Sequence, residues 1–383
     1  MFFGFSEEER MVQKSVRDML EKYCQIVDVR AFMNNPTVSD EIQSLFGKQG
    51  LLGILEPNEG KVTGVTYAIL ISQEAGRAVL PYPLLENLVG LYALKTCEQH
   101  GNLINDVEAG KSMLTIAWRN YETMAIRTEK GFSLSGKLLE VPFAADADKI
   151  IATVRIPGTG YTPLEEETVV VLDRSNPAVS FRKRTGFDET YPIYDVYLDD
   201  YPLLETDIVQ GLGMGIGHKL MCKVEQLGAL LSASEMVGSS ERALYDTVEY
   251  TKQRKQFNTV IAKFQALKHM AADMYLQVES AKSAIEYAAW ALEAGDAEAE
   301  SAVSIAKAYT STASKKVIGD AIQMQGGIGF TWENDLHLFF KRVTRSAALL
   351  GDTYTHNERI AKYVLDRIST EKHILEENYQ HTI

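Results

Sequence analysis

Two short segments carry side chains whose types and spacing suit a flat, anionic ligand. In Tyr250-Thr-Lys-Gln-Arg254-Lys-Gln256-Phe257, a guanidinium can fork onto a pyrophosphate. In Gln323-Met-Gln-Gly326-Gly327-Ile-Gly329-Phe330-Thr-Trp-Glu333, paired glycines let the backbone approach closely and offer its N–H groups. Taken singly each has a plainer reading. Arg254 would be a surface ion pair in a chain of net charge -13, and the glycines a helix C-cap and turn. Their joint occurrence reverses those odds. A third run, Gly211, Gly213, Gly215 and Gly217, is set aside: a dinucleotide fingerprint needs its third glycine where His218 stands, and no clear βαβ unit surrounds it. That run is expected to be a flexible connection into a helix.

The elements that must position these residues follow from hydrophobic periodicity. Apolar residues fall at helical spacing from Ser6 to about Cys97, with Ser6 and Glu9 in the form of a capping box, a loop around residues 50–64 and a helix over 66–78. Residues 113–118, 131–139, 149–154, 168–172 and 196–198 are strand-sized runs separated by turn residues. From about Gly217 long amphipathic helices return. The fold class is α+β, with an N-terminal helical domain over 1–110, a middle β-barrel or sheet domain over 111–205 and a C-terminal four-helix bundle over 206–383. The stripe Leu227, Leu231, Val237, Leu244 and Val248 is expected to bury a face against another subunit.

Composition excludes several classes of function. The chain has 383 residues and is 45% hydrophobic, ample for a large core. Its charge of -13 repels phosphodiester backbones, so nucleic acid is not an expected partner. Cys24, Cys97 and Cys222 show neither a disulfide framework nor zinc-ligand spacing, so no metal is expected and the thiols read as reduced, in a cytoplasmic protein. Met1 to Arg10 has no basic n-region or apolar h-region, and no apolar run reaches the length of a membrane span.

The Arg254 segment, continued by Ile261, Phe264-Gln265, Lys268-His269 and Ala272-Asp273-Met274, resembles the signature of the acyl-CoA dehydrogenases. The segment from Gln323 resembles the glycine-rich stretch after that family's long C-terminal helix. Weaker support comes from Glu74-Ala-Gly-Arg77 with Pro81, Pro83 and Leu84, and from Gly136-Lys137 with Ala147-Asp148. The resemblance covers nearly the whole chain and implies an FAD-dependent α,β-dehydrogenation of an acyl-CoA thioester, in fatty acid or steroid side-chain metabolism. It implies an electron-transfer flavoprotein or similar acceptor and a homo- or hetero-tetramer. By position, Arg254, Gln256, Phe257, Gln265, Gln323, Gly326 and Gly327 would hold the adenosine and pyrophosphate end of an FAD whose flavin ring sits in a neighbouring subunit.

The sequence departs from the family at the catalytic base. Such enzymes take the α-proton with a carboxylate as the β-hydrogen leaves as hydride. At the family's two base positions, counted without gaps, this chain has Leu350 and Gly228. The nearest carboxylates are Asp352 and Glu225, each read more readily as a solvated or ion-paired side chain. Leu114-Thr115-Ile-Ala-Trp118-Arg119-Asn120 is bulky where the family is small and polar, and Leu138-Leu-Glu-Val141-Pro142 lacks the family's flavin-contacting hydroxyl. The resemblance is therefore nearest to a base-less subunit of the heteromeric acyl-CoA dehydrogenases of bacterial steroid side-chain breakdown. Two other readings stay open: a homotetrameric enzyme with its base relocated to Glu225 or Asp352, and a non-catalytic structural or ligand-binding homologue.

Overall fold

The computed structural model describes residues 4–59, 61–97, 100–118, 123–129 and 131–380. Helix α1 (Glu7–Tyr23) opens with the expected capping box, in which the Glu9 amide donates to Ser6 Oγ at 3.2 Å and the Ser6 amide to Glu9 Oε2 at 2.6 Å. Helices α2 (Ile26–Asn34) and α3 (Asp40–Lys48) follow. Strands β1 (Glu56–Asn58) and β2 (Lys61–Thr63) then form a hairpin where the sequence suggests only a loop. Helices α4 (Val65–Ala78), α5 (Leu84–Lys95) and α6 (Gly101–Glu108) complete the first helical set. The near-continuous apolar sequence of α4 and α5 has its cause in their position, because both are buried almost all round.

Strands β3 (Leu114–Ala117), β4 (Met124–Thr128), β5 (Gly131–Pro142), β6 (Lys149–Arg155), β7 (Glu167–Asp173), β8 (Val179–Arg184) and β9 (Ile193–Leu203) form one sheet. Its order is β3-β6-β4-β5-β9-β8, with β7 paired to β6. Sequence periodicity misses β4, whose side chains mostly face solvent, and β8, whose Arg182-Lys183-Arg184 ending suits an exposed edge. Strand β5 is bulged between Leu138 and Val141, with Glu140 at φ +54°.

Gly213, Met214 and Gly215, all at positive φ, turn the chain into α7 (Ile216–Gln253). The hairpin β10 (Lys255–Gln256) and β11 (Thr259–Val260) leads to α8 (Gln265–Ala294), then α9 (Ala299–Gln325), α10 (Leu336–Ala348) and α11 (Thr353–Gln380). Helices α7, α8, α10 and α11 all pack on α9, so α11 adds a fifth helix to the expected four. The stripe expected to meet another subunit does not do so. Leu227, Leu231, Val237 and Leu244 are fully buried inside this chain, with Val248 against the same core. Helix α7 is the central helix of the chain and packs on α4, α5, α8, α9 and α10, so its apolar residues are consumed internally. The exposed aromatic and apolar residues of this domain instead include Phe257, Tyr275, Leu276, Phe330 and Trp332.

One buried guanidinium joins the three regions. Arg342 on α10 is fully buried and uses all five of its N–H donors. Nε donates to Asp188 Oδ2 at 2.7 Å, Nη1 to Glu235 Oε1 at 2.9 Å and Leu80 O at 3.1 Å, and Nη2 to Thr190 Oγ1 at 2.7 Å and Val79 O at 3.4 Å. Burial alone would push the Asp188 carboxyl up, but Arg342 and Arg345 more than offset it and hold it below the usual range. Val79 reaches this arrangement at φ +51°, a conformation unfavourable for a β-branched residue. Removing the cation leaves the carboxylates of Asp188 and Glu235 with Arg345 as their remaining cationic neighbour. Arg342→Met should therefore lower folding stability by about 3–5 kcal/mol in urea titrations, and Asp188→Asn added to it should recover part of that loss.

Candidate active site and cofactor-binding face

Leu350 and Gly228 lie far apart in the sequence but face each other in the fold. A Cβ built on Gly228 would fall 2.6 Å from Leu350 Cδ1, 3.2 Å from Trp118 Cη2 and 3.7 Å from Leu85 Cδ2. The surroundings of both positions are thus apolar, with the leucine and the indole filling the space above the glycine. Leu350 sits in the left-handed region at φ +59°, followed by Gly351 at φ +102°. Two buried groups hold this bend. His356 Nε2–H donates to the Leu350 carbonyl at 3.1 Å, and Lys307 Nζ donates to Ser346 O at 2.6 Å and Ala347 O at 3.3 Å at the end of α10. Burial pushes the Lys307 ammonium down to about 7 and the His356 imidazole down to about 4.

Behind Trp118 lies a polar chain that sequence reasoning missed. Trp118 Nε1–H donates to Glu86 Oε1 at 3.2 Å, and Tyr191 Oη–H donates to Glu86 Oε2 at 2.5 Å. The Arg345 guanidinium lies 3.6 Å from the centroid of the Tyr191 ring. Glu86 is fully buried, and that burial raises its carboxyl against the opposing pull of Tyr191 and Arg345. Both its oxygens are engaged, so it fixes Trp118 in place. The available signal was a single carboxylate, beside Asn87, in the largely apolar run Leu84–Leu94. Trp118, Pro142, Phe187, Tyr191, Arg345 and Leu349 line an adjacent cleft of about 300 Å³ between the sheet and α10. Thr115 offers nothing to it, because its hydroxyl is bonded to the Pro142 carbonyl at 2.5 Å. Arg119 and Asn120 lie outside the described residues.

The two candidate carboxylates point elsewhere. Glu225 lines a different cleft with Glu300 and Arg359, where burial raises its carboxyl. Asp352 caps α11: its Oδ1 accepts from the Thr355 amide at 2.9 Å and from the Thr355 hydroxyl at 2.8 Å, bonds that hold it below the usual range.

The remaining candidate residues lie on an outer face. Arg254, Gln256, Phe257, Gln265, Gln323 and Gly327 are exposed, and Gly326 is half-buried. Arg254 makes no ion pair among the described residues. Phe257 and Asn258 both take positive φ at the turn between β10 and β11, so a bulky ring that is 87% exposed is held outward in a strained turn. Gly326 lies at φ +64°, ψ −143°, a region essentially restricted to glycine, and a Cβ there or on Gly327 would meet nothing within 4 Å. Gln325 Nε2 donates to Thr247 Oγ1 at 3.0 Å, tying the glycine turn to α7 seven residues, or about 10 Å of helix, before Arg254.

Residues 217–365 match the model of the acyl-CoA dehydrogenase C-terminal domain. The chain is 27% identical over 349 residues to acyl-CoA dehydrogenase IpdE2 of Mycobacterium tuberculosis, covering 90% of this chain and 93% of that protein. Residues 217–365 are a C-terminal domain of the acyl-CoA dehydrogenase type, and the chain is an oxidoreductase of that type. It is also similar to the caffeyl-CoA reductase–Etf complex subunit CarC of Acetobacterium woodii, at 25% identity over 357 residues, 88% of this chain and 93% of that one. In fold it matches the ChsE4–ChsE5 complex of M. tuberculosis with a TM-score of 0.83 at 20% identity, over 95% of this chain and 99% of that one. The shared fold is one of N-terminal helices, central sheet and C-terminal helices, and no described helix is long and apolar enough to cross a membrane.

Two measurements test the packing around Leu350. Gly228→Ala should destabilise by about 1–3 kcal/mol through overpacking, and by much less in a Leu350→Ala background; chemical denaturation of the four proteins gives the coupling. His356 is neutral in the fold with its pKa depressed to about 4, whereas an unfolded histidine titrates near 6.5. The unfolded chain therefore binds the proton first, and the associated stability, present above pH 6.5, should drain away as pH falls towards 4. His356→Gln should flatten that slope in pH-dependent melting curves.

Proposed function

We propose that this chain is the base-less, FAD-contributing subunit of a heteromeric acyl-CoA dehydrogenase, completed by a homologous partner that carries the base. The observation that carries the reading is the contact of Leu350 with Gly228 under Trp118. Both positions at which the family keeps its carboxylate are occupied by apolar packing, and the carboxylates nearest to them in sequence, Asp352 and Glu225, serve a helix cap and another cleft. The relocated-base alternative is disfavoured by the same geometry.

The residues present fit one end of FAD better than the other. Arg254 without an ion pair among the described residues, the outward Phe257 ring and the open Gly326 turn suit a pyrophosphate and adenosine presented from outside this chain. The cleft by Trp118 suits a flavin ring less well, since Glu140 and Pro142 line it and the Thr115 hydroxyl is already used. When bound, FAD supplies the acceptor for the β-hydride; Arg254, Gln256, Phe257, Gln265, Gln323, Gly326 and Gly327 would orient its diphosphate end. An electron-transfer flavoprotein or similar acceptor would take the electrons onward, a reading supported by the similarity to the Etf-complex subunit. The fold match to a two-chain complex supports the heteromeric assembly. The acyl group is that of a CoA thioester.

The purified chain should not reduce an artificial electron acceptor with acyl-CoA at a normal rate, even with added FAD, because a positioned general base is worth about 10²–10⁴-fold. Co-expression with the homologous partner should restore turnover, and removing the partner's carboxylate should abolish it. Fast turnover by the chain alone, lost in Glu225→Gln or Asp352→Asn, would overturn the proposal. In the completed complex Arg254→Ala should weaken FAD binding by about 1.5–3 kcal/mol, with Arg254→Lys recovering part, as read from flavin retention.

A further inference from the structure

A second constellation stands apart from both sites. On the first two turns of α7, Cys222 Sγ lies 3.5 Å from His218 Nε2, and His218 Nδ1 lies 2.8 Å from Glu167 Oε2 at the start of β7. The register of this contact is set by Gly217, where any Cβ would run into the Glu167 carbonyl, so only glycine lets the first turn of α7 seat against the strand. With the carboxylate accepting from Nδ1–H, Nε2 carries the lone pair and faces the thiol. This is the order of nucleophile, base and orienting acid that activates a weak nucleophile. Among the described residues no group of such side chains is arranged to hold a metal ion, and Cys222 is exposed. The thiol opens into a cleft of about 310 Å³ lined by Lys219, Lys223 and Arg359 against Glu225 and Glu300.

We propose that Cys222 is a reactive thiol at which a small, carboxylate-bearing disulfide forms a mixed disulfide, with His218 as the base. His218 Nε2 takes the thiol proton, Sγ attacks one sulfur of the disulfide, and the S–S bond breaks. The departing thiolate recovers the proton from His218, so one thiol and one disulfide give one mixed disulfide and one thiol. Cys222 is oxidised and the small disulfide reduced. Burial, together with Glu225, Glu167 and Glu300, holds the thiol above its usual range, so proton removal by His218 is the step that the site must supply. The cations on the cleft wall favour a carboxylate-bearing reagent over a neutral one. The inference goes beyond the dehydrogenase reading and does not depend on it.

The test is the rate of adduct formation with oxidised glutathione, followed by peptide mass spectrometry on the folded chain. Cys222 should react faster than Cys97 and Cys24. His218→Gln should slow it at least about tenfold, less than the full range of general-base effects because a thiol supplies some thiolate unaided, with Glu167→Gln slowing it less. Arg359→Ala should slow oxidised glutathione more than neutral 2-hydroxyethyl disulfide. Equal rates at Cys222 and Cys97, or an unchanged rate in both His218→Gln and Glu167→Gln proteins that retain their circular dichroism spectra, would overturn the proposal.

Discussion

The arrangement of this molecule depends on Arg342. Its five N–H groups reach the loop after α4, the loop before β9, helix α7 and, through its own backbone, α10. A buried guanidinium satisfied in this way tolerates little rearrangement, because any segment that withdraws leaves a charge or a carbonyl without a partner in a low-dielectric interior. The same carboxylate that receives Nη1, Glu235, also receives Arg345 at 2.8 Å and the Ser346 hydroxyl at 2.6 Å. Arg345 in turn lies over Tyr191, and Tyr191 over Glu86, which fixes Trp118. The charged centre and the apolar plug over Gly228 are therefore parts of one connected arrangement.

Backbone strain collects at the joints of that arrangement. Val79, Leu350 and Phe257 all take positive φ without being glycine. Val79 turns a carbonyl towards Arg342, Leu350 turns its side chain over Gly228, and Phe257 turns its ring into solvent. The first two are locked by buried hydrogen bonds. The third is braced by an edge contact with the Phe264 ring and has no such hydrogen-bonded lock among the described residues, which is the condition expected where an outside ligand or subunit completes the contact.

The sequence made the order of helical, sheet and helical regions legible because long periodic segments encode it directly. Strands β4 and β8 were hidden, since a solvent-facing strand and a charged edge strand lack the apolar alternation that periodicity detects. Positions 228 and 350 could be singled out by counting from Arg254 and Gly326, but their mutual contact could not, for it depends on how α7 meets the loop after α10. The fate of the α7 stripe was misread for a related reason: an apolar face shows that something covers it, never whether the cover belongs to the same chain. The Glu86 chain stayed invisible because hydrogen bonds between residues about a hundred positions apart leave no local pattern.

The interlock of Leu350 with Gly228 also bears on descent. A side chain at 228 meets the leucine, and a carboxylate in place of that leucine would lie in the same apolar space beside Trp118 and Leu85. A carboxylate introduced at either position therefore disturbs packing that involves the other, and accommodating it calls for a second, coordinated change. A pair of positions interlocked in this way resists the gain of a carboxylate at either one, whatever the surface of the protein later acquires.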